Sequence, residues 1–402
     1  VRIGFFTDTY TPQINGVVTS IRLFKNALEE RGHEVYVFAP DPDHHDDGDV
    51  TIRFPSMPFL FQKEMRVAFP LSIEVLRMLD KGRFDIIHSH DPFSIGLFGL
   101  NLARRQRIPY VHTYHTLYPE YVHYVWDTRL TRKLAERLSR EFCEACDSII
   151  APSSKVAGYL YDWGVKRPIE VLPTGVDVDK YAKANPSSIT TLQQRLSIKP
   201  GERVVMFMGR LGREKNIELL LRALWHCNTE AIRLLICGDG PYRGELESLA
   251  RELDIESKVT FAGYLKGDES VAAYHLADAF VFSSTTETQG LVIGEAMAAG
   301  LPVIAVRDPA TCDFVSHEVA GLITAPRPES MAAAIDRIFL DDSILKEYSK
   351  KAVEKIADYS IARQAEKLEA HYLTAISEYV PRPRIPGLAT LRRIRQKRLR
   401  RR

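Results

Sequence analysis

Only five of the 402 residues are cysteine, an odd number widely scattered, which excludes a disulfide framework and suits a reducing compartment. Cys143-Glu144-Ala145-Cys146 forms a C-x-x-C, but no second pair or His pair stands near it, so packing is its expected role. No uninterrupted apolar run is long enough to span a bilayer. Val1-Arg2-Ile3-Gly4-Phe5-Phe6 reads as a first strand and not as a leader, so the expectation is an uncleaved cytoplasmic protein. Residues 381–402 contain no acidic side chain and ten Arg or Lys, leaving 44 basic against 52 acidic residues elsewhere, a net of −8. A basic tail on an acidic body attracts polyanions, either anionic lipid headgroups or nucleic acid. No aromatic residue interleaves the arginine run, which argues against a nucleic-acid partner.

What is present is an alternation of strand and helix. Apolar strands are predicted at 2–6, 34–39, 85–88, 109–113, 147–151 and 169–172, with helical periodicity between most of them, as at Ile21, Phe24 and Leu28 before Gly32. The alternation restarts at 203–208 and runs through 232–237, 258–262, 279–282 and 302–306. This pattern gives parallel sheets with helices on both faces, and the length suits two domains of roughly 100–200 residues each. The expected division is 1–177, then 178–360, then a helix 361–380 returning to the N-terminal domain, then the tail 381–402. Pro173-Thr174-Gly175-Val176-Asp177 and the polar stretch 178–201 read as the linker, and 344–379 as a long helical segment that ends at Pro381. Ligands of such folds bind beyond the carboxyl ends of the strands, here in a cleft between the two domains.

The most informative stretch is Ser283 to Gly300, a strand end, a loop and a helix start. Glu287 falls in the loop and Glu295 about one turn into the helix, on either side of an N-terminus whose unpaired N–H groups suit a phosphate. A carboxylate there can accept hydrogen bonds from sugar hydroxyls. Paired carboxylates also serve retaining glycosidases, if about 5–5.5 Å apart. Gly209-Arg210-Leu211-Gly212-Arg213-Glu214-Lys215-Asn216 likewise follows a strand, and Arg210 and Lys215 are suited to clamp a diphosphate. Gly238-Asp239-Gly240-Pro241 is a tight turn without dinucleotide-fingerprint spacing. After the first strand, Asn15-Gly16 allows a tight backbone turn beside a ligand. Phe261-Ala262-Gly263-Tyr264-Leu265, at another strand end, is placed to read a nucleotide base.

Four of the twelve histidines lie in His88-Ser89-His90-Asp91-Pro92 and His112-Thr113-Tyr114-His115, both at strand ends. His88 and His112 are expected to be structural, whereas His115, opening a loop with Tyr118, Glu120, Tyr121 and His123, is the candidate for substrate contact. Arg129, Arg132, Lys133, Arg137 and Arg140 share one helical face, and Leu130, Leu134, Leu138 and Phe142 the opposite one. Two readings stand: a surface helix packing its leucines on its own domain, or a basic face turned to an anionic membrane.

Together these residues resemble the retaining, family-four glycosyltransferases of the GT-B fold, in which two doubly wound Rossmann-like domains face an interdomain cleft. Glu287 to Glu295 matches the family's E-x7-E element, and Gly209-Arg210 with Lys215 its diphosphate clamp. Gly4-Phe5-Phe6-Thr7-Asp8-Thr9-Tyr10, Thr113-Tyr114-His115-Thr116, Tyr121-Val122-His123-Tyr124 and Ser284 to Gly290 resemble the subgroup that glucosylates diacylglycerol. The resemblance implies that Glu295 holds the ribose of a sugar nucleotide, Glu287 the transferred hexose, and Arg210 and Lys215 the leaving diphosphate. Gly16, Tyr264, Leu265, Gln289, Gly290, Leu291 and Val292 complete the implied donor site, with Glu287, His115, Arg210 and Lys215 as the catalytic set. Asp8, Tyr10, His115 and Tyr121 are implied at the acceptor. Membrane binding would fall to Arg129, Arg132, Lys133, Arg137 and Arg140 together with Arg392, Arg393, Arg395, Lys397 and Arg398.

The implied reaction is transfer of glucose from UDP-glucose to diacylglycerol on the inner face of the cell membrane, with retention through a front-face, internal-return path. Fixed cations at the leaving group stabilise charge that builds only in the transition state, so neither a metal nor another cofactor is expected. Asp177-Val178-Asp179 resembles a metal-binding D-x-D only superficially. A phosphoinositide mannosyltransferase and transfer to a soluble sugar or sugar phosphate are the alternatives on the same fold, and a nucleic-acid-binding protein is the alternative class.

Overall fold

The computed structural model describes residues 1–13, 15–41, 51–59, 62–69, 83–121 and 128–381. The chain forms two compact units. One holds Val1–Ala151, Tyr159–Val171 and the chain from Glu366 onward; the other holds Pro152–Gly158 and Leu172–Ala365. The chain thus passes between units at 151/152, 158/159, 171/172 and 365/366, and the segment 172–177 sits in the second unit and not in the first.

The first unit is built on β1 (Arg2–Phe6), β2 (Glu34–Pro40), β3 (Thr51–Phe54), β6 (Ile86–Ser89), β7 (Tyr110–Thr113), β8 (Ser148–Ala151) and β9 (Ile169–Val171), with β4 (Ser56–Phe59) and β5 (Gln62–Ala68) as a separate antiparallel pair. The seven strands run parallel in the order β3-β2-β1-β6-β7-β8-β9. All four residues of β6, β7 and β8 are buried, as helices on both faces require of central parallel strands. Strand order reverses between β1 and β6, so the loops opening at Thr7 and His90 lie at the sheet's switch point, where such folds bind ligands.

The second unit repeats the plan with β10 (Arg203–Met208), β11 (Ile232–Cys237), β12 (Val259–Gly263), β13 (Ala279–Phe282), β14 (Val303–Val306) and β15 (Gly321–Thr324). The order β12-β11-β10-β13-β14-β15 is again parallel throughout, with the reversal between β10 and β13. The loops after these two strands are the ones that carry Arg210, Lys215 and Glu287.

Two expectations about connections are corrected. The stretch read as a linker folds: Val178–Ala182 and Pro186–Arg195 are helices whose Tyr181 and Leu192 are buried in the second unit's core. Their Ser, Thr and Lys residues occupy outer faces, and Asn185 caps the second helix by accepting from Ser187 N at 3.0 Å. The helical segment expected over 344–379 is broken into two helices, Asp342–Ile356 and Ile361–Ser377, the second falling where the helix 361–380 was expected. Between them Val176 bonds to the chain on both sides of Ser360, accepting from Ile361 N at 2.8 Å and donating to Tyr359 O at 2.8 Å. From Glu366 on, the last helix is fastened to the first unit: Tyr372 Oη lies 2.5 Å from His88 Nδ1 in β6, and Glu369 accepts from Arg31 Nε, just past the helix Gly16–Glu30, at 2.7 Å.

Candidate active site

In the second unit the loop after β13 is pinned along its length. Ser283 Oγ donates to Lys215 O at 2.9 Å, and Lys155 Nζ donates to Thr285 O at 2.6 Å. Gln289 spends its whole amide on the backbone of Thr174, accepting from N at 2.9 Å and donating to O at 2.7 Å. What the Gln289-Gly290-Leu291-Val292 segment presents is therefore backbone. Gly290 adopts φ +79°, a left-handed conformation suited to glycine, and opens the eight-residue helix Leu291–Ala298 with no side-chain cap.

Glu287 and Lys215 meet in an ion pair, Nζ to Oε1 2.5 Å, with about a fifth of each side chain exposed (18% and 20%). Burial would raise the Glu287 carboxyl, but the charge and hydrogen bond of Lys215, with Ser284 and Lys155, hold it below the usual carboxylate range. Glu295 has the opposite electrostatics. Its burial pushes the carboxyl up, only partly offset by hydrogen bonds from Tyr274, at 2.8 Å, and Tyr181. The two glutamates thus have separate partners, a lysine for one and two phenols for the other.

Arg210 pairs with Glu214 at 2.8 Å and remains half exposed. Its loop is held by the close approach of Gly209 and Gly238: a Cβ on Gly238, whose φ is +135°, would lie 1.9 Å from Gly209 O. Leu211 N completes the junction by donating to Asp239 O at 2.9 Å. Tyr264 is exposed and donates to Asp239 O at 3.0 Å, while Leu265 packs against the core. Asp177 accepts from Lys180 N at 3.1 Å as a helix cap, which accounts for the first carboxylate of the D-x-D. Among the described residues no group of three or more His, Cys, Asp and Glu side chains is arranged to hold a metal ion.

In the first unit, Gly16 is the exposed first residue of the helix Gly16–Glu30. Asn15, in extended conformation, caps the helix by accepting from Val18 N at 3.0 Å. Asp8 and Tyr10 lie beneath the surface they were expected to line. The Asp8 carboxylate accepts from Ser94 Oγ at 2.6 Å and Ile95 N at 3.1 Å at the start of the helix Ser94–Gln106, and Tyr10 is covered by the Arg53 guanidinium. Burial and the neighbouring Asp91 push Asp8 up to about 7 against the hydrogen bonds that lower it. His115 is nearly buried, its Nε2 3.0 Å from His90 Nδ1, and burial brings its pKa down to about 3, so one neutral imidazole donates to the other. His88 bridges Tyr372 and Thr113, and His112 bonds to Ser89. Tyr121 ends the short helix Tyr118–Tyr121, its side chain outside the described residues, as are His123 and the tail with Arg392, Arg393, Arg395, Lys397 and Arg398.

The helix Arg129–Ala145 buries only Ser139, Phe142 and Cys143. Leu130, Leu134 and Leu138 are 76%, 53% and 56% exposed beside Arg129, Arg132, Lys133, Arg137 and Arg140, so the leucines do not pack on their own domain. Cys143 and Cys146 are buried, with burial pushing the Cys143 thiol up to about 12. Among the described residues no helix is long and apolar enough to cross a membrane.

Two parallel sheets of seven and six strands, each with its functional loops at the switch point, define the GT-B class of glycosyltransferase. The fold agrees with Anabaena HepE solved in complex with UDP, at TM-score 0.76 and 20% identity, covering 93% of this chain and 100% of that one. The profile described as Glycosyltransferase Family 4 matches residues 14–180, and that described as Glycosyl transferases group 1 matches 188–355. The chain is 35% identical to the alpha-monoglucosyldiacylglycerol synthase of Streptococcus pneumoniae, over 94% of this chain and 86% of that protein. It is 31% identical to the enzyme of the same name from Acholeplasma laidlawii, over 94% and 98%. The chain belongs to glycosyltransferase family 4, and is a retaining enzyme that depends on a nucleotide sugar.

Sequence reasoning gave no role to Lys155, which with its partner Asp308 reaches the Glu287 loop of the second unit, to Tyr181 and Tyr274, which bond to Glu295 there, or to His90, which contacts His115 in the first. Lys155 and Asp308 lie just past β8 and β14, so strand-end position was a usable signal for both. Tyr181 lay within the stretch read as linker, and Tyr274 has no motif to mark it.

Proposed function

We propose that this enzyme transfers glucose from UDP-glucose to the hydroxyl of diacylglycerol at an anionic membrane surface, forming a glucosyl-diacylglycerol. The observation that carries the lipid acceptor is the helix Arg129–Ala145, where an exposed leucine row runs beside five basic side chains. Water does not favour such a face, whereas a bilayer interface takes the leucines into its acyl boundary and the arginines among anionic headgroups. The names of the two relatives, which cover nearly the whole chain, support the same acceptor and a glucosyl donor.

In this reading Glu295 accepts from the ribose hydroxyls and Glu287 from the hydroxyls of the glucose. Arg210 and Lys215 turn from their carboxylate partners to the diphosphate, assisted by the N–H groups of Gly290, Leu291 and Val292. As the bond from the anomeric carbon to the diphosphate lengthens, negative charge grows on the leaving oxygen, and these donors stabilise that change without a metal ion. His115, neutral and fixed by His90, offers a hydrogen bond to a sugar or acceptor hydroxyl. The test is incubation with radiolabelled UDP-glucose and diacylglycerol-containing anionic vesicles, with products identified by mass spectrometry. A labelled glucosyl-diacylglycerol is expected. Labelling of a soluble sugar acceptor but not of the lipid would overturn the assignment.

A further inference from the structure

Lys155 lies far in sequence from the Glu287 loop, in the short segment Pro152–Gly158 that leaves β8 and packs in the second unit. Its side chain is 8% exposed, unusual for a lysine, and the buried ammonium is matched by Asp308 Oδ2 at 2.7 Å. A second hydrogen bond reaches Thr285 O at 2.6 Å, two residues before Glu287. Asp308 is itself fixed, and so is the backbone beside Lys155. Asp308 Oδ1 accepts from Ala310 N at 3.0 Å as the cap of the helix Pro309–Phe314. The start of the Lys155 helix is tied to the same region, with Ser154 N and Oγ donating to Asp313 at 2.8 and 2.7 Å.

We propose that Lys155 is a positioning residue for the Glu287 loop, holding the Thr285 carbonyl so that the Glu287 carboxylate keeps its place when Lys215 leaves it for the diphosphate of the donor. This rests on the reading of Glu287 and Lys215 given above. The physical need is specific. Lys215 cannot hold Glu287 and the diphosphate with the same geometry, so a carboxylate anchored by Lys215 alone would lose its anchor as the donor binds. Lys155 touches the loop backbone, not the carboxylate, so its contact survives that exchange, and its charge stays close enough to favour the ionised carboxylate. A hydrophobic side chain there would leave Asp308 buried without its counter-charge and the Thr285 carbonyl without its donor.

The test compares Lys155→Met, Lys155→Arg and Glu287→Gln in the full chain, measuring kcat and KM for UDP-glucose and, separately, the affinity for UDP. For Lys155→Met we expect kcat to fall about 100-fold, the scale of a displaced reacting group, with UDP affinity within about twofold of the parent. Lys155→Arg should recover most of the loss. Retained kcat in Lys155→Met beside a strongly impaired Glu287→Gln overturns the proposal and leaves the Glu287 reading standing. Parallel loss of UDP affinity in Lys155→Met also overturns it, because Lys155 would then support the unit as a whole. Unimpaired turnover in Glu287→Gln removes the underlying reading and the proposal with it.

Discussion

Lys215 Nζ lies 2.5 Å from Glu287 Oε1, so the cation assigned to the leaving diphosphate and the carboxylate assigned to the transferred sugar start as one ion pair. The bond that breaks joins the sugar to the diphosphate, and groups serving its two ends must be neighbours. The pair also keeps Glu287 in its working charge state: it is ionised despite burial because the lysine stands beside it.

Lys215→Met should therefore do two things. Turnover should drop about 10²–10³-fold, as when one preorganised charge-stabilising donor is removed. The residual kcat/KM should also lose its tolerance of acid. With the depressed carboxyl of the parent, Glu287 of the free enzyme stays ionised until pH falls below the ordinary carboxylate range; without Lys215 burial dominates and protonation begins at higher pH. A pH profile of kcat/KM, which reports the free enzyme, checks this, and an acid limb that does not move upward in the variant would refute the pairing as the cause.

Glu295→Gln is expected to separate binding from stability. Its carboxyl is raised by burial, so the folded state favours the protonated form; the stability this gives is present at low pH and lost as pH rises through the raised value. At neutral pH the glutamine, which keeps an acceptor for Tyr274 and Tyr181, should raise stability by about 1 kcal/mol while weakening donor binding. Thermal unfolding with UDP-glucose titration decides. Lower stability with unchanged donor affinity would mean that Glu295 is a core residue and nothing more.

The relation between Glu287 and Glu295 was legible in the chain because strand end, loop and helix start leave local marks, and the switch-point position follows from strand alternation. The two sheets were legible for the same reason, strand by strand, wherever an apolar run was unbroken. The misses share a cause. Thr51–Phe54 is interrupted by Arg53 and Gly321–Thr324 has only Leu322 and Ile323 as apolar residues, so neither makes an unbroken apolar run, and Tyr181 and Leu192 sit singly within polar helices. Lys155, Asp308 and His90 stand just past strand ends, which a sequence can show, but the partners through which they act are distant in sequence, which no local pattern announces.

Gly238→Ala tests how the loop that carries Arg210 is held. The added methyl would overlap Gly209 O at 1.9 Å, and φ +135° is itself strained for alanine. Overpacking and backbone strain each cost about 1–3 kcal/mol, so a loss of about 3 kcal/mol or more is expected in denaturant unfolding. A loss under about 1 kcal/mol would show that the loops separate easily.

Asp8→Asn addresses the first unit. Asp8 is raised from 3.8 to about 7 by burial and by Asp91, so the fold holds a proton that the unfolded chain releases. This contribution is fully present below about pH 4 and is lost as pH rises toward about 7, by at most about 1.4 kcal/mol per pH unit for one proton. Asparagine keeps an acceptor for Ser94 and Ile95 but does not titrate, so the decline in stability across that window should flatten. Denaturation midpoints at several pH values measure it; an unchanged slope would place the titration elsewhere.

Leu130, Leu134 and Leu138, replaced together by serine, should separate membrane docking from catalysis. Each is more than half exposed, so the substitutions remove little folding energy, whereas Phe142 on the same helix is buried and its loss should destabilise the unit. Insertion of one leucine into the bilayer boundary is worth about 1.5–3 kcal/mol at full burial, so even partial insertion of three makes the triple variant's partition to anionic vesicles fall at least about 100-fold. Reversing Arg132, Lys133 and Arg137 should instead lower partition in a salt-dependent way, by about 1 kcal/mol for each charge neutralised. Vesicle sedimentation at two salt concentrations distinguishes the effects, and turnover on a short-chain acceptor below its aggregation limit should be unchanged in the leucine variant. Undiminished sedimentation of that variant would assign the exposed row to some other surface than the membrane.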